Sequence, residues 1–287
     1  MINTQNLVQL LRKLDFVQDN QVWIKEINGY ELKIDTKNEE IIYPKGLKAY
    51  RDTTKNFSQP ENFVVFECVH NLLSSGYRPE HIELEKWMPW GHGMTGWFCD
   101  IIVQDNDKNP YLLIECKTPD EAWTNNKEFS KARNKMLKDW GQLFNYYNSY
   151  RKAQWICLYS SDFYKETEKV SQTYHLISMQ DNDNYLASSP KLRSFEQIRR
   201  ENGGKEDYFK VWKETYQCDF ISHNLFESEI FSIGNRPFQL SDLKTVDGEA
   251  IQKKYHQFAT ILRQYNISGR ENAFDKLVNL FLCKVVD

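Results

Sequence analysis

The chain has 287 residues, 40% of them hydrophobic and 27% charged, with a formal net charge of −3. That length supports one sizeable core plus a smaller part, and the mild acidity excludes a protein that coats DNA with its whole surface, while leaving room for an enzyme that confines positive charge to one groove. No stretch approaches the ~20 apolar residues of a membrane span, and the N-terminal residues lack the basic start and apolar core of a secretory signal, so a soluble, cytoplasmic protein without membrane partners is expected. Cys68, Cys99, Cys116, Cys157, Cys218 and Cys283 are scattered without Cys-x-x-Cys spacing, which favours reduced thiols over disulfides or structural zinc.

In chain order, Asn6–Leu14 carries a helical pattern. Gln21–Ile27, Tyr30–Asp35 and Glu40–Tyr43 read as short strands turned at Asn28-Gly29 and Thr36-Lys37-Asn38. Residues 1–56 are therefore expected to form an N-terminal helix and β-meander. Ser58-Gln59-Pro60-Glu61 has the form of a capping box with proline in the first turn, and Ser74-Ser75-Gly76 supplies a stop, so a helix is expected over Pro60–Ser74. Glu67 sits within FVVFECV, an unusually apolar run for a carboxylate. It is either an acid on a half-exposed face or a member of a site.

Gly91, Gly93 and Gly96 have spacing like that of a phosphate-binding loop, but Trp97 and Phe98 stand where Lys and Ser or Thr are required. No ATP site is expected; the loop reads as a hinge before Asp100, with His92 a polar loop residue. If Trp97–Val103 is a strand, Phe98, Asp100 and Ile102 share one face, while Trp97, Cys99, Ile101 and Val103 share the other. Tyr111, Leu113, Glu115 and Lys117 share a face of the next strand, and the turn residues from Asp105 to Pro110 join the two as a hairpin. This pairing brings Asp100 near Glu115 and Lys117. Two carboxylates and an amine at the end of apolar strands are costly to bury unless compensated, and a hard divalent cation bridging the acids compensates. Oxygen ligands favour Mg²⁺, with Mn²⁺ as substitute. Such an ion polarises a phosphodiester and acidifies a bound water, with Lys117 placed to hold that water or offset charge on phosphorus. The plainer alternative is three solvated strand-end residues.

Residues 127–150 read as one helix. Met136, Trp140, Leu143 and Tyr147 are spaced to pack on a sheet, and Lys131, Lys135, Lys138, Gln142 and Tyr146 form a stripe on an adjoining face that can track a phosphate backbone. From Lys127 to Lys152 there are seven Lys or Arg against two acids, so the positive charge is local. A strand over Gln154–Tyr159 then completes a parallel βαβ unit. Residues 164–250 read as a connector of mixed structure, broken at Asn202-Gly203-Gly204. In residues 251–287, Ile251–Tyr265 and Glu271–Val286 are helical in pattern.

From about Phe57 to Asp162 the chain resembles the PD-(D/E)xK nuclease domain at the start of type I restriction endonuclease R subunits and of fused restriction-modification proteins. The resemblance runs through ENFVVFECVHNLLSSGY, FCDIIV, LLIECKT and GQLFNYY in order. It implies catalysis by Asp100, Glu115 and Lys117, with Glu67 as a further acid. It also implies metal held by Asp100, Glu115 and the Cys116 carbonyl, and a Gln-x-x-x-Tyr mark at Gln142 and Tyr146 that positions DNA. Cys99 departs from the Pro that often precedes the motif Asp. GRENAFDKLVNLFLCKVVD resembles the helical opening of N6-adenine DNA methyltransferase subunits, although the Asn-Pro-Pro-Tyr motif of those enzymes is absent, so the chain is expected to be the nuclease end of a fused or truncated protein.

The expectation is thus an α/β protein with a restriction-endonuclease-like core over residues 57–163, a mixed central sheet flanked by helices. A β-rich lead-in precedes the core and a helical segment, the truncated start of a methyltransferase-like domain, follows it over 251–287. Its expected activity is Mg²⁺-dependent cutting of foreign double-stranded DNA beside methyltransferase and specificity partners. The alternatives are a catalytically silent DNA-binding or assembly module that docks a methyltransferase, and a repair or phage-type nuclease.

Overall fold

The computed structural model describes residues 1–89, 96–121, 126–138, 142–150, 153–178, 186, 191–216 and 220–221. The chain divides into two units, residues 1–236 and 237–287, and every described residue belongs to the first. The helical segment expected over 251–287 and residues 91–95 of the loop expected as a hinge lie outside the described residues, while Gly96 of that loop begins a strand.

Helix α1 (Leu7–Lys13) leads into strands β1 (Val17–Asp19), β2 (Val22–Ile27), β3 (Tyr30–Asp35) and β4 (Glu40–Ile42), which pair antiparallel in chain order. Asn28 and Gly29 both take positive φ, 51° and 83°, as a two-residue hairpin turn requires. Helix α2 (Pro60–Ser74) follows, and eleven of its fifteen residues are buried. A helix apolar on all sides must be covered on all sides. Here Phe66 meets Phe16 at 6.0 Å between ring centroids, Asn28 Nδ2 donates to Leu73 O at 2.8 Å, and one continuous apolar cluster joins the meander, α2 and the strands beneath. Gly76, at φ 100°, ends the helix; Tyr77 N donates to Leu72 O and Gly76 N to Leu73 O, the paired bonds of a Schellman cap.

The second sheet has the order β11-β10-β9-β8-β7-β6-β5. Its strands are β5 (Lys48–Ala49), β6 (Ile82–Pro89), β7 (Gly96–Gln104), β8 (Pro110–Cys116), β9 (Trp155–Tyr164), β10 (Lys169–Ser178) and β11 (Phe220–Ile221). β6, β7 and β8 run antiparallel, whereas β8 pairs parallel with β9, so the molecule is mixed α/β. The parallel pair needs a crossover, supplied by α3 (Glu128–Lys138) and α4 (Gln142–Ser149). These are two described helical stretches where one helix over 127–150 was expected, with residues 139–141 outside the described set. Leu143, Phe144 and Tyr147 of α4 pack with Phe195, Phe209 and Trp212 in a second cluster on the sheet face opposite α2. The boundary expected at 163 falls inside β9, and β10, assigned to a connector, pairs with β9 along its whole length. The reason is a tight hairpin over residues 164–169 whose alternation in KVSQTYHLIS is weakly apolar. Among the described residues no helix is long and apolar enough to cross a membrane.

Candidate functional site

Side-chain alternation along β7 does not hold throughout. Ile101 and Val103 face the α2 cluster, yet Cys99, expected on the same face, packs with Ile102 and Leu113 on the other. The cause lies across the strand pair. Glu85 of β6 has φ 50°, a left-handed conformation uncommon for a residue with a side chain, and it turns the pleat over. Before it, Ile82 and Leu84 face α2; after it, Met88 faces the other cluster, and Cys99, the partner of Lys86, turns with it.

Asp100 lies at this turnover. The recorded pairs of β7 with β8 stop at Ile101↔Ile114, and beyond them the Cys116 N–H donates to Asp100 Oδ2 at 2.7 Å. The carboxylate thus takes the place of a backbone acceptor where the strands part. Glu115 points the same way from β8. Lys117 Nζ lies 2.6 Å from Glu115 Oε1 and 2.9 Å from Glu61 Oε1. The structure therefore brings together Asp100, Glu115 and Lys117, as the hairpin reading expects, and adds Glu61.

Tyr146 also belongs to this cluster. Its phenol oxygen lies 2.5 Å from the carbonyl oxygen of Phe98 and in contact with Glu115 Oε2. The phenol hydrogen is shared between these two acceptors, and its bond to Glu115 favours the ionised carboxylate against the effect of burial. Burial raises the pKa of Glu115; burial, and then the charge of Glu115, hold Asp100 well above the usual carboxylate range. For Lys117, burial works against the charge, but Glu115, Asp100 and Glu61 outweigh it and keep the ammonium protonated. Two desolvated acids thus stand beside one fixed cation.

Other expected site residues fall elsewhere. Tyr146, expected on an exposed stripe with lysines, is fully buried. Gln142 is half-buried one turn before it at i,i+4 spacing, while Lys131 and Lys135 are exposed and Lys131 pairs with Glu128 at 2.9 Å. The Lys138 side chain lies outside the described residues. Glu67 does not join Asp100 and Glu115. It accepts from Tyr159 Oη at 2.6 Å, from Gln172 Nε2 at 2.9 Å and from Asn71 Nδ2, and burial raises its pKa. Glu61 and Glu67 are six residues apart, about 9 Å along a helix. The helical acid at the cluster is therefore Glu61. The Ser58 capping box is not formed, because Gln59 is the N-cap and Glu61 is drawn to Lys117. The Cys116 thiol is buried in the α2 cluster.

Sequence reasoning missed Glu61, Glu85 and Arg51. Arg51 Nη1 reaches Glu85 Oε2 at 3.4 Å, and Glu85, its pKa raised mainly by burial, feels both Glu61 and Lys117. A signal was present in IELEKWMP, where Glu83 and Glu85 alternate with Ile82 and Leu84 and so share a face.

No protein-family model matches the chain, and no curated protein matches it. The chemistry of the site rests on its own atoms. Among the described residues no three His, Cys, Asp or Glu side chains stand together as a ready cation cage. Mg²⁺ does not need one, since it commonly binds through one or two carboxylates and completes its shell with water and substrate phosphate. Asp100 and Glu115, buried, like-charged and raised in pKa, fit that donor set.

Proposed function

We propose that the chain is a Mg²⁺-dependent DNA endonuclease of the restriction-endonuclease type, acting on foreign duplex DNA with methyltransferase and specificity partners. The observation that carries the reading is the buried Asp100–Glu115 pair with Lys117 between Glu115 and Glu61. The order of α2, three antiparallel strands, crossover helices and the parallel β9 supports it, because the stretches that carry the resemblance lie on α2, β7, β8 and α4, the elements that supply the cluster.

Asp100 and Glu115 would hold the ion, which when bound supplies charge to the scissile phosphate and lowers the pKa of water. Lys117, kept cationic by its acids, orients water and offsets charge growing on the phosphate. Tyr146 fixes the rotamer of Glu115 through its phenol, and Glu61 fixes Lys117. The exposed Lys131 and Lys135 offer phosphate contacts outside the cluster.

The test is nicking and linearisation of unmethylated supercoiled plasmid in Mg²⁺ or Mn²⁺, comparing wild type, Lys117→Ala and a chelator control. Cutting by wild type is expected to fall about 100-fold or more in the variant. Equal cutting by both sinks the assignment. A second reading, a silent DNA-binding or assembly module, draws on the engagement of both Glu115 oxygens by Lys117 and Tyr146, and absence of cutting by either protein favours it.

A further inference from the structure

Large aromatic rings belong in cores, so a pair of them open to solvent beside a charged cluster calls for an explanation. Trp87 is 45% and Phe98 39% exposed, and the two are direct cross-strand partners on β6 and β7. Opposed residues of an antiparallel pair project to the same side, so their rings form one surface. Gly96 helps to make it: a Cβ there would stand 2.5 Å from Cε2 and Nε1 of Trp87, so the indole lies over bare backbone. The Arg51 guanidinium carbon stands 4.7 Å from the centroid of the Phe98 ring and is held by Glu85.

The same residues lead into the acid cluster. The carbonyl of Phe98 is bonded by the phenol of Tyr146, which also contacts Glu115. Phe98 and Asp100 are two residues apart on β7, about 7 Å of strand, a distance one nucleotide can bridge.

We propose that Trp87 and Phe98 are a stacking platform for unpaired nucleobases, delivering a single-stranded or locally opened strand to Asp100, Glu115 and Lys117. This rests on the nuclease reading and adds the form of the substrate at the site. Flat rings, one of them with a guanidinium over its face, suit bases, since every base has a π-face and stacking is tolerant of sequence. Arg51 is engaged by Glu85 and Lys86 by Glu83, so the platform holds a strand by its bases more than by phosphate neutralisation. Its share of binding therefore resists salt.

The experiment is fluorescence anisotropy in EDTA with the full chain, using labelled oligo(dT) and a blunt duplex of equal length. Wild type, Trp87→Ala, Phe98→Ala and Trp87→Phe are compared, each checked for native circular dichroism. Oligo(dT) is expected to bind more tightly than duplex. Its affinity falls about tenfold in either alanine variant, the order of one lost base stack, and is largely kept in Trp87→Phe. Duplex bound as well as oligo(dT), or alanine variants that bind oligo(dT) like wild type, overturns the platform. Metal-dependent cutting alongside unchanged oligo(dT) binding in the alanine variants removes the platform and leaves the nuclease. Aromatic-dependent binding without cutting removes the nuclease and leaves the platform.

Discussion

The Asp100–Glu115 pair ties protein stability to pH in a direction opposite to that of an ordinary salt-bridged acid. Both carboxyls have folded-state pKa values raised by burial, so the native state holds a proton that the unfolded state, titrating near pH 4, has released. That contribution is complete below the unfolded value and is lost as pH rises through the folded one. In chelator, the urea midpoint of Asp100→Asn relative to that of the wild type is expected to rise as pH goes from 5 towards 8. Added Mg²⁺ is expected to raise the wild-type midpoint at pH 8 and leave the variant's nearly unchanged; parallel profiles with and without Asp100 would discard the raised carboxyl pKa. At this scale the sequence was informative where contacts are local. Asp100, Glu115 and Lys117 meet because a turn of known type joins two short strands. Glu61 was illegible because its partner lies 56 residues away, and its spacing matched a capping box equally well. The face of Cys99 was illegible because the residue that reverses it, Glu85, belongs to another strand.

At the scale of elements, α2 is cross-linked to β9 and β10 through one carboxyl. Glu67 receives Asn71 from its own helix, Tyr159 from β9 and Gln172 from β10. Removing it leaves buried donors unpaired and a void, so Glu67→Ala is expected to cost about 3 kcal/mol in denaturant titration. Glu67→Gln can accept from the amides and donate to the phenol, and is expected to cost about 1 kcal/mol. Cutting per folded molecule should be unchanged in Glu67→Gln; a large fall in rate would put Glu67 back in the reaction. Elements themselves were legible where period and punctuation agreed. Strands β2, β3 and β4 and helix α2 carry strong alternation or sharp stops, and their limits agree with the sequence to within a residue or two, whereas the short, exposed β1 was not expected. The α3 and α4 region was harder, because an exposed lysine face and a buried tyrosine can share a helical period. Burial, which separates them, depends on the sheet below.

Across the whole molecule, α2 is the shared wall between the meander and the central sheet, so neither layer has a complete core without it. Phe66, fully buried and in ring contact with Phe16 and Phe57, reaches into the meander side of that wall. Phe66→Ala is expected to lower stability by about 3–5 kcal/mol, with near- and far-ultraviolet circular dichroism still changing together. Separate transitions for the two probes would show that the meander is an independent unit. Sequence alone did not reveal this dependence, since an apolar helix pattern does not say how many neighbours will cover it.

The cluster gathers residues from far along the chain: Lys117 is clamped by a residue 56 positions before it, and Glu115 by a phenol 31 positions after it. During synthesis the hairpin carrying Asp100 and Glu115 emerges well ahead of Tyr146, and the parallel β8–β9 pairing must wait for the crossover to close its loop. A half-made chain therefore carries the acids without the geometry that arms them. On the nuclease reading proposed above, the order in which the parts leave the ribosome would act as a safety catch, withholding the chemistry until the fold is finished.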